Sequence, residues 1–176
     1  MGIVIPEHKL RDIISQMPKV DYQGGIGDRS IQFGWGDKTE LNRYLKLKKE
    51  DSYPLMWLLS PSPELHIYKS TRVERDCSIV IATLETRKDL YNPQRYNFSF
   101  DIVLNPIADY FMQGIRSAST TMFLNEDNVT LNKFPNYSDE SQSDKSGAIA
   151  LWDAIRIDCR IEFKNSCLNE IKWITN

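Results

Sequence analysis

A catalytic site needs a base, a nucleophile or a ligand set, and this chain offers few candidates for any of them. Its two histidines, His8 and His66, have no second ligand at a useful spacing, so they read as surface or capping residues. The three cysteines, Cys77, Cys159 and Cys167, show no metal-ligand spacing and read as free thiols of a reducing compartment. Cys159 falls on the apolar side of an alternating stretch, where a thiol packs and does not react. A hydrolase triad would need a serine or cysteine positioned beside a histidine, and no nucleophile elbow occurs. The carboxylate pairs Glu126/Asp127 and Asp139/Glu140 lie in loop-like sequence, with nothing to raise a pKa for acid–base work. Gly25-Ile26-Gly27 matches the opening of a dinucleotide-binding turn, but no apolar strand precedes it and Ser30 follows. The expectation is a chain that is not an enzyme and takes no metal or cofactor.

Composition narrows the partners. A net charge of −2 and a pI near 5.7 argue against direct nucleic-acid binding through phosphate neutralisation. No apolar run approaches the roughly 20 residues that span a bilayer, so no membrane partner is expected. The start, MGIVIPEHKL, has no basic region and no cleavage site, and the chain reads as cytosolic at synthesis. Its 176 residues are enough for one domain with a real core.

The element that must organise that domain is Ala150–Phe163. From Ile155 it alternates strictly, with Ile155, Ile157, Cys159, Ile161 and Phe163 on one side. Arg156, Asp158, Arg160 and Glu162 take the other. One greasy and one charged face is the pattern of a half-buried antiparallel strand. Thr71–Glu85 predicts a second long strand, apolar on both faces and therefore central. Tyr53–Ser60 predicts a short buried strand, and Ile31–Trp35 another between glycine turns.

Helices are expected at residues 6–17, where Leu10, Ile13, Ile14 and Met17 form one stripe, and from Asp37 to about Lys49. Asp37 and Glu40 have the spacing of a capping box. Residues 89–115 fit both periods, and at 97–105 they fit strand and helix almost equally. Length and the later spacing favour helix, with Pro106 starting a fresh turn. Met122–Leu124 and Val129–Phe134 predict a hairpin around Asn125–Asn128. Residues 136–147 predict a flexible polar loop. Leu168, Ile171, Trp173 and Ile174 fit either a closing helical turn or a short edge strand. The fold class predicted is α+β: a small, mostly antiparallel sheet with two or three helices packed on one face.

Four tryptophans invite a binding reading, though aromatics mostly fill cores, as expected for Trp57. Trp35 between glycines and Trp152 at a strand entrance are the better candidates for exposed interface anchors. The polar loop adds Tyr137, Asp139, Glu140, Asp144 and Lys145. The charged strand face adds Arg156, Asp158 and Arg160, which face either water or a neighbour's charges.

The layout resembles a known group. A short N-terminal helix precedes YPLMWLL (Tyr53–Leu59), and a strand IVIATLETR (Ile79–Arg87) leads into DLYNPQRYNFSFDIVLNPIADYFMQGI (Asp89–Ile115). This is similar to small neck and tail proteins of tailed bacteriophages, of the tail-terminator or tail-completion type. The resemblance implies a virion structural protein, present in the host cytoplasm during assembly. It implies a homo-oligomeric ring of six or twelve that joins or caps the tail tube and connector. A head-to-tail ring requires two different complementary patches on each subunit. A protein-binding adaptor domain and a small ligand-binding α+β enzyme remain alternative readings. The Gly-rich segment 24–36 and the loop at 136–147 are longer than the group's pattern.

Overall fold

The computed structural model describes residues 3–22, 28–46, 50–67, 69–85, 92–137 and 151–174, which form an α+β fold. Two strands of 14 residues carry it: β6 (Arg72–Glu85) and β9 (Leu151–Lys164). They pair antiparallel along their whole length, from Arg72 opposite Lys164 to Glu85 opposite Leu151. The alternation predicted for 155–163 is realised. Ile155, Ile157, Cys159, Ile161 and Phe163 are buried and lie beside Ile81, Ile79, Cys77, Arg75 and Val73 on one face.

Each long strand carries two short strands end to end on its outer edge. Their ranges are β4 (Leu55–Leu59), β5 (Glu64–Ile67), β7 (Thr121–Phe123) and β8 (Thr130–Tyr137). β4 and β5 line β6, while β7 and β8 line β9. β3 (Gln32–Gly36) then runs parallel to β4 and completes a seven-stranded sheet that is otherwise antiparallel. A separate small ladder pairs β1 (Val20–Asp21) with β2 (Asp28–Arg29).

The hairpin expected around Asn125–Asn128 does not form. β7 and β8 both add to β9, in line, with a 3-10 turn at Glu126–Asn128 between them. The seven steps from Phe123 to Thr130 face only three on β9, from Ile161 to Asp158, and the turn takes up the surplus. β9 offers a long open edge, so each segment finds its ladder partners there and not on the other.

The helical layer covers the Ile155 face. It comprises α1 (Pro6–Ile14) and one continuous run, α3 (Asn92–Arg95), a π-helix (Tyr96–Leu104) and α4 (Asn105–Ser117). The segment that fitted both periods is therefore helical, with wider π turns at its centre: the Asn105 N–H bonds the Phe100 carbonyl five residues back. Pro106 stands in the first turn of α4, where a missing N–H costs nothing. Phe100, Leu104, Ile107, Phe111 and Ile115 are fully buried, with Leu10 and Ile13 of α1. Gly114 lets α1 approach: a Cβ there would stand 2.8 Å from the Ile13 side chain and 3.0 Å from Trp173.

α2 (Lys38–Lys46) is added on the reverse face, over the β3–β4 end. Its capping box is reciprocal. The Asp37 N–H donates to Glu40 Oε2 at 2.9 Å and the Glu40 N–H to Asp37 Oδ1 at 2.8 Å. Leu41 and Leu45 are buried, and the Tyr44 ring lies 5.5 Å from that of Trp57.

Residues 165–174 form neither the helical turn nor the edge strand expected. They run as an extended strap held by side chains of the body. Gln16 Oε1 accepts the Ile171 N–H at 3.2 Å, and Gln113 bonds both the N–H (3.0 Å) and the carbonyl (3.3 Å) of Ile174. The side-chain amides supply what a neighbouring strand would have supplied. Among the described residues no helix is long and apolar enough to cross a membrane.

Candidate functional site

The residues with chemical potential are dispersed. His8 is exposed on α1, and His66 Nε2 lies 3.0 Å from Glu64 Oε2 in β5. Cys77 and Cys159 sit directly opposite each other across the β6–β9 ladder, both buried and both free. Burial pushes the Cys159 thiol up to about 12 and raises Cys77 further, so neither forms a thiolate at neutral pH. Among the described residues no group of three or more His, Cys, Asp or Glu side chains is placed to hold a metal ion.

The charged face is an ion-pair lattice. Arg160 donates to Glu74 at 2.9 Å, and Arg156 pairs with Asp158 at 2.9 Å. Arg72 and Lys164 both approach Glu162, at 3.3 and 3.7 Å. Ser78 donates to Asp158 and accepts from Arg156. A shallow hollow of about 420 Å³ opens here, where the breaks between β4 and β5 and between β7 and β8 face each other across the sheet. Its Asp76, Asp158 and Arg160 are within those pairs. Arg156, Asp158 and Arg160 are thus brought together as expected, but engaged with their own sheet.

The two tryptophans predicted as anchors have different fates. Trp35 is 43% exposed on β3, with its ring 5.9 Å from that of Phe33. Trp152 is half-buried, and its indole N–H is committed to the Tyr53 hydroxyl at 2.8 Å. It closes the reverse-face cluster and does not present an open anchor. A strand entrance looks exposed in sequence, but Tyr53 engages this one. Tyr137 ends β8 opposite Trp152. Asp139, Glu140, Asp144 and Lys145, the rest of the predicted polar loop, lie outside the described residues, as do residues 23–27 of the Gly-rich segment.

Among the described residues, what the structure brings forward are the two outer edges of the sheet. On β3, the bonds Gln32 N–H to Pro54 O and Ser60 N–H to Gly36 O, each 2.9 Å, commit the even residues to β4. Backbone groups alternate in direction along a strand, so those of Phe33 and Trp35 point to the open edge. On the other side, the bonds Leu124 N–H to Arg160 O and Lys164 N–H to Thr120 O show that the even residues of β9 face β7 and β8. Thr130, Asn132 and Phe134, opposite Asp158, Arg156 and Ala154, take those bonds. Leu131 and Lys133 therefore face outward.

This second edge carries exposed apolar surface too. Leu131 is 45% exposed on the face of Tyr96, which is partly open, and Phe134 is partly open on the opposite face. Lys133 Nζ leans over the rings of Tyr96 and Phe100 at 5.9 and 5.7 Å. Sequence reasoning passed over β8 as half of a hairpin. Two signals marked it as an edge: Pro135, which cannot donate inside a sheet, and Lys133, a residue common on open edges. No family model and no curated protein matches the chain.

Proposed function

We propose that this chain is a structural, non-enzymatic subunit that assembles head to tail through the two ends of its sheet. On its resemblance in layout to tail-terminator and tail-completion proteins, the assembly is a ring at the neck or tail of a tailed phage, in contact with tail tube or connector. The observation that carries the assembly part is the pair of edges, β3 and β8, at opposite ends of one sheet, which no other strand among the described residues covers. Each has exposed apolar side chains, Trp35 on the first and Leu131 and Phe134 on the second. Isolated exposed hydrophobics are ordinary, but exposed hydrophobics along an edge strand are a template for pairing with another chain. Two unlike patches are also what a closed heterologous assembly requires.

Light scattering on the purified chain, alone and mixed with tail-tube and connector proteins, tests the proposal. The expected result is a discrete multiple of 20.5 kDa, alone or on mixing. A monomer under every condition overturns it. A ring that forms alone but ignores the tail proteins keeps the assembly and removes the phage assignment.

A further inference from the structure

We infer that β8 of one copy adds antiparallel to β3 of the next, with Phe33 opposite Lys133 and Trp35 opposite Leu131. This deepens the assembly reading by naming its contact, and it does not depend on the phage assignment.

Strand direction comes first. β3 runs parallel to β4, while β4, β6, β9 and β8 each run antiparallel to their neighbour in turn. β3 and β8 of one protomer therefore point in opposite directions. A head-to-tail neighbour keeps the orientation of its sheet, so its β3 meets β8 in antiparallel sense. That is the stronger form of pairing.

The hydrogen-bonding parity also matches. An antiparallel ladder joins residues whose N–H and C=O both point at the partner strand. On β3 these are Phe33 and Trp35, and on β8 they are Leu131 and Lys133. Both sets are spaced by two residues, so two bonded pairs form together, contributing about four ladder bonds.

Faces match as well. The register places Phe33 and Trp35 with Met56 and Leu58, which lie on the same side as Ile81 and Ile79. Leu131 and Lys133 pair with Ile157 and Ile155 and lie on that side too. A continued sheet sets the Trp35 indole against Leu131 and the Phe33 ring against the Lys133 stem and charge, both favourable cross-strand pairs. Pairing β8 with its own copy would instead bring two Lys133 residues close together.

The contact is also limited in length. Pro135 offers no N–H at the next outward position on β8, and the capping turn into α2 begins at Asp37 just past β3. The ladder is therefore confined to two bonded pairs.

Disulfide trapping tests the register, because bonded antiparallel pairs bring Cα atoms to about 5.5 Å, within disulfide range. The exposed Cys167 is first replaced (Cys167→Ser), leaving only the buried pair. Trp35→Cys and Leu131→Cys variants are then oxidised separately and mixed, and Phe33→Cys with Lys133→Cys provides a second, independent pair. The expected result is a cross-linked dimer in each mixture and none in the separate samples. Self-linking of Trp35→Cys or Leu131→Cys alone overturns the inference in favour of like-edge contacts. Absence of mixed cross-links in both pairs, while the parent chain assembles, overturns the edge contact and leaves assembly standing. Absence of cross-links together with a strictly monomeric parent overturns both.

Discussion

The indole N–H of Trp152 donates to the Tyr53 hydroxyl at 2.8 Å, and that hydroxyl donates onward to the Leu45 carbonyl at 3.3 Å. One short relay thus ties the start of β9 to the entrance of β4 and to the last turn of α2. It also gives the Leu45 carbonyl, in the last turn of α2, a side-chain donor. Burial raises the Tyr53 pKa well above its ordinary value of 10.0, keeping the hydroxyl a donor.

Replacing the indole by a ring that cannot donate, Trp152→Phe, is expected to destabilise the fold by about 1 kcal/mol. Tyr53→Phe should cost more, since it breaks both bonds. Urea midpoints of the two variants and the parent check the order.

Gly34 is expected to be intolerant of any side chain. It faces Trp57 across the β3–β4 pair, and a Cβ there would stand 2.5 Å from the indole ring. Gly34→Ala must displace that ring from its bond to the Gly36 carbonyl and its contact with Tyr44. Overpacking of this kind costs about 1–3 kcal/mol. A fall in midpoint together with a shift in tryptophan emission is the expected signature.

Arginines on the two faces should differ sharply. Arg75 is 2% exposed between Glu7 of α1 (2.5 Å) and Glu64 of β5 (2.9 Å), on the helix-covered face. Arg75→Ala removes the cation that both carboxylates share and loosens α1, with an expected cost of about 3 kcal/mol. Arg156 is paired in solvent on the reverse face, and Arg156→Ala should change stability by less than about 0.5 kcal/mol. Chemical denaturation of the two variants reads the contrast.

Alkaline pH should weaken the fold before neutral pH does. The folded state holds Cys77, Cys159 and Tyr53 in their neutral forms, with pKa values raised from 9.0, 9.0 and 10.0 by burial. The unfolded chain loses these protons at the ordinary values. Stability from these groups is therefore complete below about pH 9 and is lost as pH rises toward the folded values. The denaturation midpoint is expected to fall above pH 9, and Cys77→Ala with Cys159→Ala should flatten the first part of that fall. A midpoint independent of pH between 8 and 10 would contradict the linkage.

Cap removal gives a calibrated small effect. Asp37→Ala removes the acceptor for the Glu40 N–H and is expected to cost about 1 kcal/mol. Loss of helical circular dichroism smaller than one turn, with a matching midpoint shift, would locate the effect in α2.

Much of this fold was legible residue by residue. Alternation from Ile155 to Phe163 has a period of two that no helix can bury, so β9 followed from its own sequence. The Asp37 and Glu40 side chains each bond the other's backbone, and such local contacts need no distant partner to be recognised. Residues 97–105 were ambiguous because Phe98, Phe100, Ile102 and Leu104 fit period two while Phe100, Val103, Leu104 and Ile107 fit period 3.6. Packing of Phe100, Leu104 and Phe111 on the sheet decided for helix.

The candidate site was less legible. Trp35 was expected to be exposed from its glycine flanks and is 43% exposed, whereas Trp152 is half-buried because its partner, Tyr53, comes 99 residues earlier. β8 was read as a hairpin arm because a turn in sequence does not reveal whether its flanks prefer each other or a third strand.

The amino-acid sequence alone determined the class of the fold, the central strands, the capped and amphipathic helices and the sidedness of β9. Each of these depends on periodicity or on contacts a few residues apart. Only the tertiary structure decided which strands lie outermost, in which direction they run, and which backbone groups remain open on them. Those are properties of strand pairings between residues up to 92 positions apart, and the outer edges are defined only once every other strand has found its partner.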